Sequence, residues 1–243
     1  MGRKVIFYLL GIVALGLIGI MMMPEKRDDD GVQRLPWRIS VDSRGHARVF
    51  GFTLGETTLA GVRAAFAEDG KINLFSHAHG ADGYSVEAYF EQLYLEGLRA
   101  DLIITLEADQ QMLAAMYERG LRISRLGSGD KKVELAPADI DALLQQPIRA
   151  ITYLPWKSLD AEILRKRFGE PKEILSEESG VSHWLYPDKG MDIGLDEGGG
   201  VVIQYVNPEE FESLIAPLKK PSWRAEPKSG ALGVETVADP APS

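Results

Sequence analysis

The residues best suited to metal chemistry lie in Ser76-His77-Ala78-His79-Gly80-Ala81-Asp82. Two histidines one residue apart can reach one ion from a loop or strand, and Asp82 could add an oxygen ligand. That arrangement would make a metal-dependent hydrolase using His77, His79 and Asp82. A polar, glycine-containing loop explains the same residues more simply, and it is the reading adopted. His46 and His183, the remaining histidines, have no partner spacing. Gly127-Ser128-Gly129 lacks the spacing of a nucleophile elbow, and Lys131 after it does not complete a phosphate loop. Asp192 and Asp196 fall on alternate positions of an expected strand, where water on one face accounts for both. No residue is therefore assigned a catalytic, cofactor-binding or metal-binding role, and no cofactor is expected. Trp37, Trp156, Trp184, Tyr153, Tyr186 and Tyr205 lie on or beside expected strands. Such residues suit a partner-binding face, but burial in a sheet core is the expectation for each one.

The elements that position these residues follow from apolar periodicity and turn chemistry. Trp37, Ile39 and Val41 alternate with polar neighbours, and Asp42-Ser43-Arg44-Gly45 then turns the chain into His46 to Phe52, which predicts a hairpin. Thr57 or Thr58 caps a helix with Leu59, Val62 and Phe66 on one face. Ser85 to Leu106 reads as a long hairpin turning at Glu96-Gly97. Asp109 opens a helix that ends at Gly120, and Pro137 opens another with Ile140, Leu143 and Leu144 on its apolar face. In the second half Ile151 to Leu154 is a strand, and Ser158 is expected to cap a helix that Gly169 ends. Strands at Ser182 to Tyr186, Met191 to Leu195 and Val201 to Val206 form a meander, and Asn207-Pro208-Glu209-Glu210 starts a final helix with Asn207 as its expected cap.

The two halves thus share an order of elements at an offset of about one hundred residues. The fold class expected is α+β: an N-terminal transmembrane helix followed by two helix-plus-antiparallel-meander modules. Residues 1–23 form the anchor, 24–34 a linker, 35–148 the first module, 149–218 the second, and 219–243 a proline-bearing disordered tail.

The anchor rests on Val5 to Met23, nineteen residues without a charge, preceded by Arg3 and Lys4. As a helix it would span roughly 28 Å, close to the hydrocarbon thickness of a bilayer. A cleaved signal peptide normally has a shorter apolar run ending in small residues, whereas this one ends Met21-Met22-Met23-Pro24. A tail of four residues before the apolar run has the layout of a signal-anchor, which places the body outside the cytoplasm, at the inner membrane. The 243 residues are 45% hydrophobic and 26% charged, a globular composition. With 27 basic and 36 acidic side chains the charge is −9, the wrong sign for a nucleic-acid footprint. There is no cysteine, which excludes disulfides, thiolate metal sites and a lipid-modified N-terminal cysteine.

Two family resemblances accompany this reading. The His77-Ala78-His79-Gly80-Ala81-Asp82 run resembles the HxHxDH motif of metallo-β-lactamase-like hydrolases, with Ala81 at the place of the aspartate and Asp82 at that of the final histidine. The motif is broken there. Leu159 to Gly169-Glu170-Pro171, then HWLY at His183 to Tyr186, GMDIGLD at Gly190 to Asp196 and VVIQYVNPEEF at Val201 to Phe211, resemble the small fold of BamE (SmpA/OmlA) envelope proteins and the β-lactamase-inhibitor-protein-like group. GFTLGETTLAGVRAAF from Gly51 to Phe66 is similar to the same helix entry. The resemblance implies non-catalytic binding modules of the cell envelope with a protein partner. BamE-type proteins carry a lipidated cysteine, which a helix anchor replaces in this chain.

Overall fold

A computed structural model describes residues 33–77 and 83–219. The first element is a small antiparallel sheet of β1 (Ser40–Val41), β2 (Ala47–Val49) and β3 (Phe52–Thr53). The expected turn at Asp42 to Gly45 joins the first two strands. Asp42 Oδ1 accepts the backbone N–H groups of Arg44 and His46 there, both at 2.9 Å. Helix α1 (Leu59–Phe66) follows, capped by Thr58, whose hydroxyl accepts the Gly61 N–H.

The rest of the fold is one ten-stranded antiparallel sheet. Its strands are β4 (Lys71–Ser76), β5 (Tyr84–Leu95), β6 (Leu98–Leu106), β7 (Arg122–Arg125), β8 (Lys131–Glu134), β9 (Ile148–Pro155), β10 (Glu173–Ser176), β11 (Ser182–Tyr186), β12 (Met191–Leu195) and β13 (Val201–Tyr205). They lie in the order β10-β11-β12-β13-β9-β6-β5-β4-β8-β7. Three helices sit between them in sequence, α2 (Gln110–Glu118), α3 (Pro137–Leu143) and α4 (Ala161–Phe168), and α5 (Phe211–Lys219) follows the last strand.

This architecture corrects the expected α+β arrangement of two separate modules. Strands dominate, and β9 pairs with β6 of the first half on one side and with β13 of the second half on the other. The meander of the second half therefore extends the sheet of the first. The apolar pattern identifies which face of a strand is buried but carries no information on which distant strand lies beside it. Among the described residues no helix is long and apolar enough to cross a membrane. The expected anchor at residues 5–23 lies outside the described residues, as does all but Lys219 of the expected tail.

One sheet face carries most of the core. Phe90, Leu102, Tyr153, Ile203, Ile193 and Trp184 are cross-strand neighbours along a single row. Buried residues of α1 to α4 join this row in one cluster, together with Phe50, Phe52 and Leu54 from the small sheet. Phe50 packs its ring 5.5 Å from Tyr153 and 5.7 Å from Tyr205. Tyr205 is fully buried, and its hydroxyl donates to the Pro36 carbonyl at 2.9 Å, which ties the entering chain to the sheet. The opposite face is covered only at one end. There α5 sets Phe211 and Ile215 against Leu185 and Val206 in a separate cluster.

Two helix starts differ in detail from expectation. Asp160, not Ser158, caps α4, because its carboxylate accepts the Ile163 N–H at 2.8 Å. Asn207 caps nothing with its side chain. Its Oδ1 accepts the Ala47 N–H at 2.9 Å and so fastens the small sheet to the end of β13. Gly190 at the start of β12 has φ +62°, and a Cβ there would lie 2.0 Å from the Val206 carbonyl oxygen, so only glycine allows this close approach.

Candidate functional site

His77 follows β4, with Nε2 2.8 Å from Ser85 Oγ and Nδ1 3.9 Å from an Asp130 carboxylate oxygen. His79 and Asp82, the other members of the expected metal set, lie outside the described residues. Asp42, His46 and Glu56 bring three ligand atoms within 4.8 Å of one another at the first hairpin. The Arg44 guanidinium already bridges that set, 2.9 Å from Asp42 and in contact with Glu56. The His46 N–H bonded to Asp42, with the Arg44 bonds added, pulls the Asp42 carboxyl down to about 2. A cation bound there would have to displace Arg44, so the cluster is a braced turn.

His183 also has partners that its spacing did not reveal. Its Nδ1 lies 2.8 Å from Asp192 on β12 and its Nε2 3.3 Å from Glu177 at the end of β10. Asp192 is 2% exposed, which corrects its expected position facing water. Burial pushes its carboxyl above the usual range, and the His183 hydrogen bond opposes that shift. Glu177 is held below its usual value, first by the Ser179 hydroxyl donating at 2.7 Å. His183, Glu177 and Ser179 border a cleft of about 420 Å³ that also takes in Leu175 and Leu218. A buttressed imidazole is general-base machinery when its outer nitrogen faces a reacting hydroxyl. In this chain that nitrogen faces a carboxylate, and the nearby Ser179 is spent on Glu177, so the chain of contacts joins β10, β11 and β12.

The third constellation is built for contact. Pairing between β5 and β6 shifts register between Phe90 and Leu93, and Gln92 in this bulge has φ +56°. The bulge turns the Gln92 N–H onto Asp101 Oδ1 at 2.8 Å. Asp101 also accepts from the Tyr89 hydroxyl and the Trp156 indole, each at 2.9 Å. Burial raises its carboxyl, but the three donors and the Arg99 charge together bring it below the usual range. Arg99 donates to Gln92 Oε1 at 2.9 Å and lies over two rings, 3.7 Å from the Trp156 centroid and 5.5 Å from that of Tyr94. Trp156 is 47% exposed and Tyr94 72%. A cation–π contact at an exposed site is worth about 0.5–1 kcal/mol. The rings and the guanidinium are thus held in place before any partner arrives, which lowers the ordering cost of binding. Beside them a cleft of about 450 Å³ carries Glu68, Asp69 and Glu91.

Of the aromatic residues singled out from the sequence, Tyr153, Trp184, Tyr186 and Tyr205 are buried, and Trp37 is partly buried against Phe168. Trp156 alone among them is exposed. Arg99, Tyr94 and Asp101 were missed, although the turn at Glu96-Gly97 contains the signal. A two-residue turn there makes Tyr94 and Arg99 direct cross-strand neighbours, as observed. Compared with known protein families, with curated proteins and with solved structures, the chain matches none.

Proposed function

We propose that this protein is a non-catalytic, membrane-anchored envelope module that binds a partner protein through the platform of Trp156, Arg99 and Tyr94. Its anchor is the uncharged stretch Val5 to Met23, and the similarity of its second half to BamE-type sequences supports a place in the cell envelope. One observation carries the binding reading: a tryptophan, an arginine and a tyrosine, the residue types that dominate binding hot spots, stand exposed and already fixed by Asp101 and Gln92. A structural role alone would not require Tyr94 to remain so exposed.

A photo-crosslinking amino acid at Tyr94 in the full chain, within native membranes, tests the reading. We expect one discrete protein adduct, lost on Trp156→Ala and on Arg99→Ala. An adduct pattern equal to that from a crosslinker at the remote exposed position Glu178 would refute it. Alkaline phosphatase and fluorescent-protein fusions after Ser243 test the side of the membrane, with phosphatase activity expected and cytoplasmic fluorescence alone opposing it.

A further inference from the structure

We infer that β7 accepts an acidic, extended segment of a partner protein as an eleventh strand of the sheet. The inference rests on the protein-binding reading and adds a second contact surface to it.

β7 ends the strand order, so its outer edge has no neighbour among the described residues. In an antiparallel ladder every second residue turns its backbone N–H and C=O away from the existing partner, and such an edge templates a further strand. All four β7 residues are exposed. The apolar row formed by Val133 and Leu74 continues onto Ile123. Ile123 is 50% exposed and the adjoining Leu121 63%, so apolar surface runs out to the edge uncovered. The other face of the strand borders a cleft of about 560 Å³ with Lys71, Arg122 and Lys132. Lys71 is paired with Glu91 at 2.8 Å. Glu134 lines the same cleft as the cross-strand neighbour of Arg122, which leaves Arg122 and Lys132 as two cations against one carboxylate, and Arg125 on the Ile123 face lies opposite Lys131, in a chain whose net charge is −9.

Charge decides the occupant. Cations on an edge strand oppose pairing with a like-charged strand, so a two-fold β7 to β7 contact between copies sets Arg122 and Arg125 against themselves. The same cations favour a strand alternating acidic with β-branched residues. Such a strand places carboxylates toward Arg122 and Lys132 and apolar side chains beside Ile123. A nucleic acid would leave Leu121, Ile123 and the open backbone groups unused.

The test uses the membrane-anchored full chain in detergent with two synthetic peptides, one alternating Glu and Val, the other Lys and Val. Amide hydrogen exchange, read residue by residue, should slow at β7 with the Glu/Val peptide and not with the Lys/Val peptide. Arg122→Glu with Lys132→Glu should weaken the Glu/Val peptide at least tenfold and transfer the protection to the Lys/Val peptide. Equal protection by both peptides, or none, overturns the inference. So does binding to anionic vesicles that the charge reversal removes while neither peptide protects β7, or self-association removed by the same reversal, which would place the β10 edge of a second copy there. If the Tyr94 adduct persists while β7 binds no peptide, this inference falls and the platform stands. The reverse result removes the platform alone.

Discussion

The two faces of the ten-stranded sheet use the same residue types for opposite ends. On the covered face Tyr153, Tyr205 and Trp184 pack under helices and the small sheet, and Phe50 wedges between the two tyrosines. Burial pushes the Tyr153 hydroxyl up to about 12 and that of Tyr205 well above its ordinary value, so neither ionises in the folded protein at ordinary pH. On the open face Trp156 and Tyr94 are held by hydrogen bonds and a guanidinium, with water on their outer sides. Large aromatic side chains follow either course, and what separates them is the layer above the sheet. α5 covers the open face around Leu175, Leu185, Val206 and Ala150, and leaves Tyr94, Arg99 and Trp156 exposed at the far ends of β5, β6 and β9.

Substitutions on the two faces should therefore separate stability from binding. Phe50→Ala empties a fully buried site between two rings and should cost about 3–5 kcal/mol in a denaturant titration. A loss below about 1 kcal/mol would mean the small sheet is not part of the core. Trp156→Ala should cost less than about 1 kcal/mol by the same measurement while abolishing the Tyr94 adduct, since exposed contacts of this kind contribute little to folding. Equal destabilisation by both substitutions would erase the distinction between the faces.

Asp192 sharpens the comparison, because it lies on the less covered face yet is buried. A carboxyl raised by folding contributes stability at low pH that is lost as pH rises through its folded value. Asp192→Asn keeps an acceptor for His183 and carries no charge. It should gain stability relative to the unsubstituted protein between pH 3 and pH 7, and a constant difference across that range would contradict the assignment. Asp42 behaves with the opposite sign. Its contribution is complete above the ordinary value of 3.8 and disappears as pH falls through about 2. Asp42→Asn should flatten the acid limb of a thermal melt series, the smallest effect of the four, because the hairpin carboxylate is exposed to water.

Much of this was legible from the chain, and the parts that were not share a cause. The β5 to β6 hairpin, the β11 to β13 meander and the helix caps at Thr58 and Asp109 rest on local patterns, and the structure contains them. β7, β8 and β10 escaped notice because Arg-Ile-Ser-Arg, Lys-Lys-Val-Glu and Glu-Ile-Leu-Ser hold too few apolar residues to show a period. Their strand geometry comes from hydrogen bonds to neighbours. The single sheet was hidden for a related reason: β9 is a recognisable strand, but its pairing with both β6 and β13 is non-local. The carboxylates beside His183 come from another hairpin arm and another strand, and no spacing along the chain brings Glu177, His183 and Asp192 to one point. The platform was half visible, with Trp156 noted as an aromatic residue and its partners Arg99 and Tyr94 recoverable from the turn between them.

The central claim is that the exposed aromatic platform binds a protein partner, and crosslinking from Tyr94 in native membranes addresses it most directly. A single adduct that disappears with Trp156→Ala, while the denaturant midpoint of that variant stays within error of the parent, is the predicted result. An adduct that survives Trp156→Ala, or a pattern identical to that from Glu178, would contradict it.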